Sequence, residues 1–126
     1  MERTRTSIEL REGVAVDILV TPALYSVAKK RGIDLVADAN AGDIYTSYIK
    51  MLYCAAILAW EVAAVDDPKM GEFPHKYADF HEWAYADAQR LNKTVAFLYE
   101  AITGKRFEDI GKDAAGSVKK NESRQR

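Results

Sequence analysis

Apolar residues crowd most densely between positions 43 and 65. They recur at Ile44, Tyr48, Met51, Ala55, Leu58, Val62 and Val65, the i, i+4, i+7 spacing of one helix face. A second apolar row runs beside it through Tyr45, Ile49, Leu52, Ala56, Ala59, Trp60 and Ala63. Only a narrow stripe is polar or small: Asp43, Ser47, Lys50 and Cys54, with Glu61 further along. A helix that is apolar over most of its circumference has to be covered on several sides. The spacing therefore predicts a central helix over residues 43–65, with the rest of the chain packed around it. Lys50 and Glu61 bound the uninterrupted apolar run. That run is shorter than the ~20 residues a bilayer span needs, so no membrane helix is expected.

Elsewhere the period changes. Ile8 and Leu10, then Val14, Val16 and Ile18, alternate with polar or small residues around Glu12-Gly13, which predicts a β-hairpin within residues 7–20. A lone hairpin is marginal in water, so one of its faces is expected on the helices. Thr21-Pro22 opens a short helix, with threonine as cap and proline in the first turn. Its buried face is Leu24, Val27 and Ala28, its last turn carries Lys29, Lys30 and Arg31, and Gly32 ends it. Residues 33–36 return to the core, residues 40–42 form a loop, and Asp43 caps the central helix. After a surface turn at residues 66–71, apolar residues recur from Tyr77 through Phe80, Ala84, Ala88, Leu91, Val95 and Leu98 to Ile102. The spacing slips near Ala86-Asp87, which allows two abutting helices over residues 75–103. Gly104 is the stop, and Phe107 and Ile110 are expected to dock as one last turn.

These patterns give an α+β fold, mainly α: a short N-terminal hairpin packed on a small helical bundle, in one domain over residues 1–110. Residues 111–126 hold five Lys/Arg against two Asp/Glu and almost nothing apolar, so a disordered basic tail is expected. The 126 residues, 48% hydrophobic and 29% charged, can build one real core. A net charge of −1 gives no bulk attraction to nucleic acid. One cysteine rules out an internal disulfide and suits a reducing cytoplasm.

Candidate chemistry is sparse. Phosphate-binding glycine loops, a nucleophile elbow and a C-x-x-C pair are all missing. Cys54 lies four residues after Lys50, whose ammonium would favour a thiolate if the two met; the plainer reading is a small buried contact residue. His75, Asp79 and Glu82 share a helix face, but a metal would need a further ligand from elsewhere. The tail residues Lys119, Lys120, Arg124 and Arg126 lack the interleaved aromatics of a nucleic-acid site. The aromatics are too numerous and too widely spread for all to be core. Tyr77, Phe80 and Trp83, at the start of the third helical segment, are the expected partner-binding face.

The order of elements resembles the tail assembly chaperones of long-tailed bacteriophages and related prophages. The likeness covers residues 7–110. It rests on K-K-R-G-I-D-L (29–35), Y-x-x-Y-I-K-M-L-Y-C-A-A (45–56), F-P-H-K-Y-A-D-F-H-E-W (73–83) and I-T-G-K (102–105). The resemblance implies a small, mostly helical, non-enzymatic protein without cofactor. It would bind the tape measure protein in the host cytoplasm, help recruit the tail tube protein, and be absent from the finished virion. It also implies that some copies are extended by a ribosomal frameshift, for which Lys119-Lys120-Asn121 is a suitable place. Self-association is a further expectation. Two other readings stay open: a structural tail completion or connector protein, and a small metal-dependent enzyme or regulator built on His75, Asp79 and Cys54.

Overall fold

The computed structural model describes residues 4–104; the docking of Phe107 and Ile110 and the basic tail lie outside the described residues. The fold is α+β, mainly α, with an antiparallel hairpin followed by five α-helices. Strand β1 (Arg5–Arg11) pairs with β2 (Val14–Leu19) across Glu12-Gly13. Gly13 has φ +77, a left-handed conformation that glycine adopts without strain. The register runs Arg5 opposite Leu19 to Glu9 opposite Ala15, then shifts between Glu9 and Arg11. The alternation seen in the sequence becomes one buried face, with Leu10, Val16 and Ile18 in the core and Ile8 and Val14 half-buried against it. Leu19 and Val20, beyond the alternation, are buried as well.

Helix α1 (Ala23–Lys30) begins as its sequence predicts: the Thr21 hydroxyl accepts from the Ala23 N–H at 3.2 Å, with Pro22 already helical. It ends where the Ile33 N–H reaches back to the Ala28 carbonyl at 2.9 Å over Gly32, whose φ of +70 permits the reversal. Residues 37–40, of which only Asn40 falls in the expected loop, then make one helical turn, α2 (Ala37–Asn40). The Asp34 carboxylate starts it, accepting from the N–H groups of Val36 and Ala37 at 3.0 and 3.1 Å. Side chain to backbone bonds of this kind are hard to foresee because they need no hydrophobic period.

Helix α3 (Ile44–Asp66) is the centre of the domain. Asp43 caps it, accepting from the Thr46 N–H at 3.0 Å and the Thr46 hydroxyl at 2.6 Å. Both strands' hairpin and every other helix lean on it or on a neighbour that does; β2, α1, α2, α4 and α5 all touch it directly. Ile49, Leu52, Cys54, Ala55, Ala56 and Ile57 are essentially fully enclosed. Burial of each large one is worth about 1.5–3 kcal/mol. Two details differ from the sequence pattern. Ser47 and Cys54, read as part of an outer polar stripe, are 2% and 0% exposed. The Ser47 hydroxyl donates to the Leu35 carbonyl, which satisfies it in place. The apolar rows, in turn, run past the edge of the core: Ile44 and Tyr45 at one end and Val62 and Val65 at the other are exposed.

By length and composition α3, with 23 residues, is long and apolar enough to cross a membrane. The run between Lys50 and Glu61 underestimated it, because two charges do not interrupt a helix of this length. In this fold the apolar residues of its middle are covered by the five elements packed on it, while Ile44, Tyr45, Val62 and Val65 stay exposed.

A 3₁₀ turn (Pro68–Met70) follows, started by Asp67. The third helical segment is two helices, α4 (Tyr77–Tyr85) and α5 (Ala88–Thr103), broken at Ala86-Asp87. Asp87 caps α5 through the Gln89 N–H at 2.8 Å. Residues 75 and 76, assigned to the helix from sequence, precede it; the Asp79 carboxylate fixes the start by accepting from the Lys76 N–H at 3.0 Å.

Leu52→Ala, at a site 1% exposed, is expected to lose about 2–5 kcal/mol. Val65→Ala, at a site 79% exposed, should change stability by less than about 0.5 kcal/mol. Guanidinium unfolding of the two variants measures both, and equal losses would place the centre of the fold elsewhere.

Candidate functional site

Of the three residues expected to form a partner-binding face, Phe80 is drawn into the core, while Tyr77 and Trp83 stay half-buried. Phe80 is 0% exposed, so it cannot meet a partner on the folded surface. It lies edge-on to Tyr53 at 5.5 Å and stacks on Phe73 at 6.2 Å with the rings 20° apart. Tyr77 is half-buried against the same Tyr53 ring at 5.9 Å. Its hydroxyl pKa is raised, chiefly by burial. Trp83 is half-buried too, with the Arg90 guanidinium 5.5 Å from its ring centre and bonded to its carbonyl at 3.4 Å. The physical reason is packing: α4 is only nine residues long and needs its apolar positions to hold onto α3. Tyr53, Phe73, Tyr77 and Phe80 join α3, the connecting loop and α4 through edge and stacked contacts, each worth roughly 0.5–1.5 kcal/mol beyond burial.

The catalytic and metal candidates do not assemble either. Asp79 is occupied with the Lys76 N–H and lies 4.0 Å from Arg11. His75 packs edge-on to Phe73 at 5.4 Å, and Glu82 is exposed. Among the described residues no three His, Cys, Asp or Glu side chains are grouped to hold a metal. Cys54 is fully enclosed, and burial pushes its thiol up to about 11, with Arg31 opposing the shift only in part. Lys50 does not activate it, because its ammonium is bonded to Asp38 at 2.6 Å. That bond holds Lys50 above the ordinary lysine range.

Several open grooves remain among the described residues. One, of about 570 Å³, lies at the C-terminal end of α3. Ile57, Trp60, Ala64, Val65 and Phe73 supply its apolar lining, and Arg31, Glu61 and Glu72 its charged positions. Its wall is fixed, since the Trp60 indole N–H donates to the Gly71 carbonyl at 3.0 Å and its ring meets Phe73 at 5.9 Å. Val62 and Val65 are exposed on the same helix end. Sequence reading assigned these valines to the core because they continue the period. The signal against that was the Asp-Asp-Pro turn directly after them, which takes the chain out to solvent. The second groove, of about 420 Å³, separates β1 from α5. No family model, curated protein or solved structure matches the chain.

Phe80→Ala is expected to lose about 3–5 kcal/mol, as a core aromatic does; a change near zero in thermal or denaturant unfolding would return Phe80 to the surface. The Cys54 thiol should be unreactive toward a disulfide reagent at pH 8 in the native protein and react fully in guanidinium. Fast native labelling would contradict its enclosure.

Proposed function

We propose that this chain is a tail assembly chaperone of a long-tailed bacteriophage or prophage, acting without catalysis on the tape measure protein in the host cytoplasm. The family likeness of its sequence points there. The observation that carries the reading physically is the fixed groove at the end of α3, lined by apolar and charged side chains alike, with Val62 and Val65 exposed on that helix. An amphipathic helix binds such a groove by laying apolar residues at i, i+3 or i+4 and i+7 along it. A tape measure protein is a long helical client with many such stripes. Covering one stripe at a time would keep the client soluble until the tail tube protein polymerises around it. The mixed charges of Arg31, Glu61 and Glu72 suit repeated stripes with varied flanks better than one tight, specific partner.

The α3 end replaces Tyr77, Phe80 and Trp83 as the client face in this reading. Co-expression of the chain with the tape measure protein of the same phage, followed by affinity capture, tests it. Wild type should solubilise and retain the client. Val62→Glu with Val65→Glu, both at exposed positions, should keep the fold and weaken retention at least about tenfold. A wild-type chain that neither binds nor solubilises the client overturns the function. Full retention by the double variant overturns the face.

A further inference from the structure

The groove of about 420 Å³ between β1 and α5 has a graded lining. Ile8, Trp83 and Phe97 give it apolar surface, each half-buried against the core. Arg90 and Lys93 are exposed on its α5 wall, with Glu9 on the β1 wall. Arg90, Lys93 and Phe97 follow the i, i+3, i+7 spacing of one helix face, so the α5 wall is cationic near the start of the helix and aromatic further along.

At the other end of α5 the chain changes course. Gly104 has φ +73, and its N–H donates to the Glu100 carbonyl at 2.8 Å. A left-handed residue there ends the helix and turns the chain off its axis. Residues 105–110 lie beyond the described residues and read K-R-F-E-D-I. Going back along α5 from Gly104, the wall offers Phe97 first, then Lys93 and Arg90. Going forward from Gly104, the sequence offers Phe107 first, then Glu108 and Asp109. The reach agrees too. Phe97 and Lys93 lie about 10 and 16 Å back along a helix that rises ~1.5 Å per residue. An extended chain, at ~3.3 Å per residue, carries Phe107 and Asp109 about 10 and 16 Å from the same glycine.

We infer that residues 107–110 dock in this groove of their own chain, with Phe107 against Phe97 and Trp83 and with Glu108 and Asp109 beside Lys93 and Arg90. Burial of Phe107 and Ile110 is the favourable term. The order of charges sets the direction, because the reverse course would put the carboxylates at Phe97 and the ring at Lys93. β1 packs on α4, and α5 packs on α3 and α4, so a segment seated between β1 and α5 ties the hairpin to the last helix. This groove shares no residue with the one at the end of α3, and the inference stands independently of the client.

The chain has two tryptophans, one in each groove, and their indole N–H signals in the NMR spectrum of the full chain test the docking. Trp60, bonded to the Gly71 carbonyl, is the internal reference. Phe107→Ser should move the Trp83 signal by more than its linewidth and leave Trp60 in place, because it removes a ring from beside the Trp83 indole. Asp109→Lys should move the Trp83 signal part of the way to the same position. Adding Lys93→Glu, at an exposed site, should bring it back toward wild type. Dilution of the wild-type chain should move neither signal. A Trp83 signal that ignores Phe107→Ser overturns the inference. So does a Trp60 signal that moves in its place, which puts Phe107 in the other groove, or a Trp83 signal that changes on dilution, which makes the segment a second copy's. A swapped chain no closer to wild type than Asp109→Lys alone overturns the charge pairing.

Discussion

Everything in this domain follows from enclosing α3. A helix with two adjacent apolar rows has no face to leave in water along its middle, and the remaining elements are placed by that need. The hairpin, α1, α4 and α5 each supply one apolar stripe, and none is long enough to form a core alone. Small residues make this close approach feasible. Ala55, Ala56 and Ala59 are buried on α3, so neighbouring backbones come near without large side chains between them. Cys54 and Ser47 belong to the same set, the one filling space and the other bonding to Leu35.

That dependence also decides which aromatics are available for binding. Tyr53 sits at the meeting point of Phe73, Tyr77 and Phe80, and the tilted and stacked rings tie the loop and α4 to the central helix. Phe80, enclosed by these contacts, is lost to any partner. What is left to a client is the part of α3 that outruns its cover, with Trp60 held by the Gly71 carbonyl as a rigid wall. Apolar residues exposed at a helix end, rimmed by Arg31 and Glu61, are a more typical contact surface than rings buried between two helices.

Local rules made most of the fold legible. The hairpin turn, the Thr21 and Asp43 caps, the Gly32 stop and the break at Ala86-Asp87 all depend on residues within a few positions of each other. Helix α2 was not legible, because it rests on one Asp34 side chain and carries no buried residue of its own. Burial around α3 was legible only in part. Periodicity says which residues share a face, but not how far along the helix its neighbours reach. Val65 and Leu58 share a row, yet one is 79% exposed and the other 7%. The same limit explains Phe80: its position on α4 was readable, while its stacking on Phe73 depends on a loop returning across α3.

We propose that the uncovered end of α3 clasps a helical segment of the tape measure protein. Hydrogen–deuterium exchange of the chain with and without that client tests it most directly, because it reports where binding slows exchange. The account predicts added protection within residues 60–73, with the exchange of α4 unchanged. Protection confined to α4, or none at residues 60–73 while the client is bound, would contradict it.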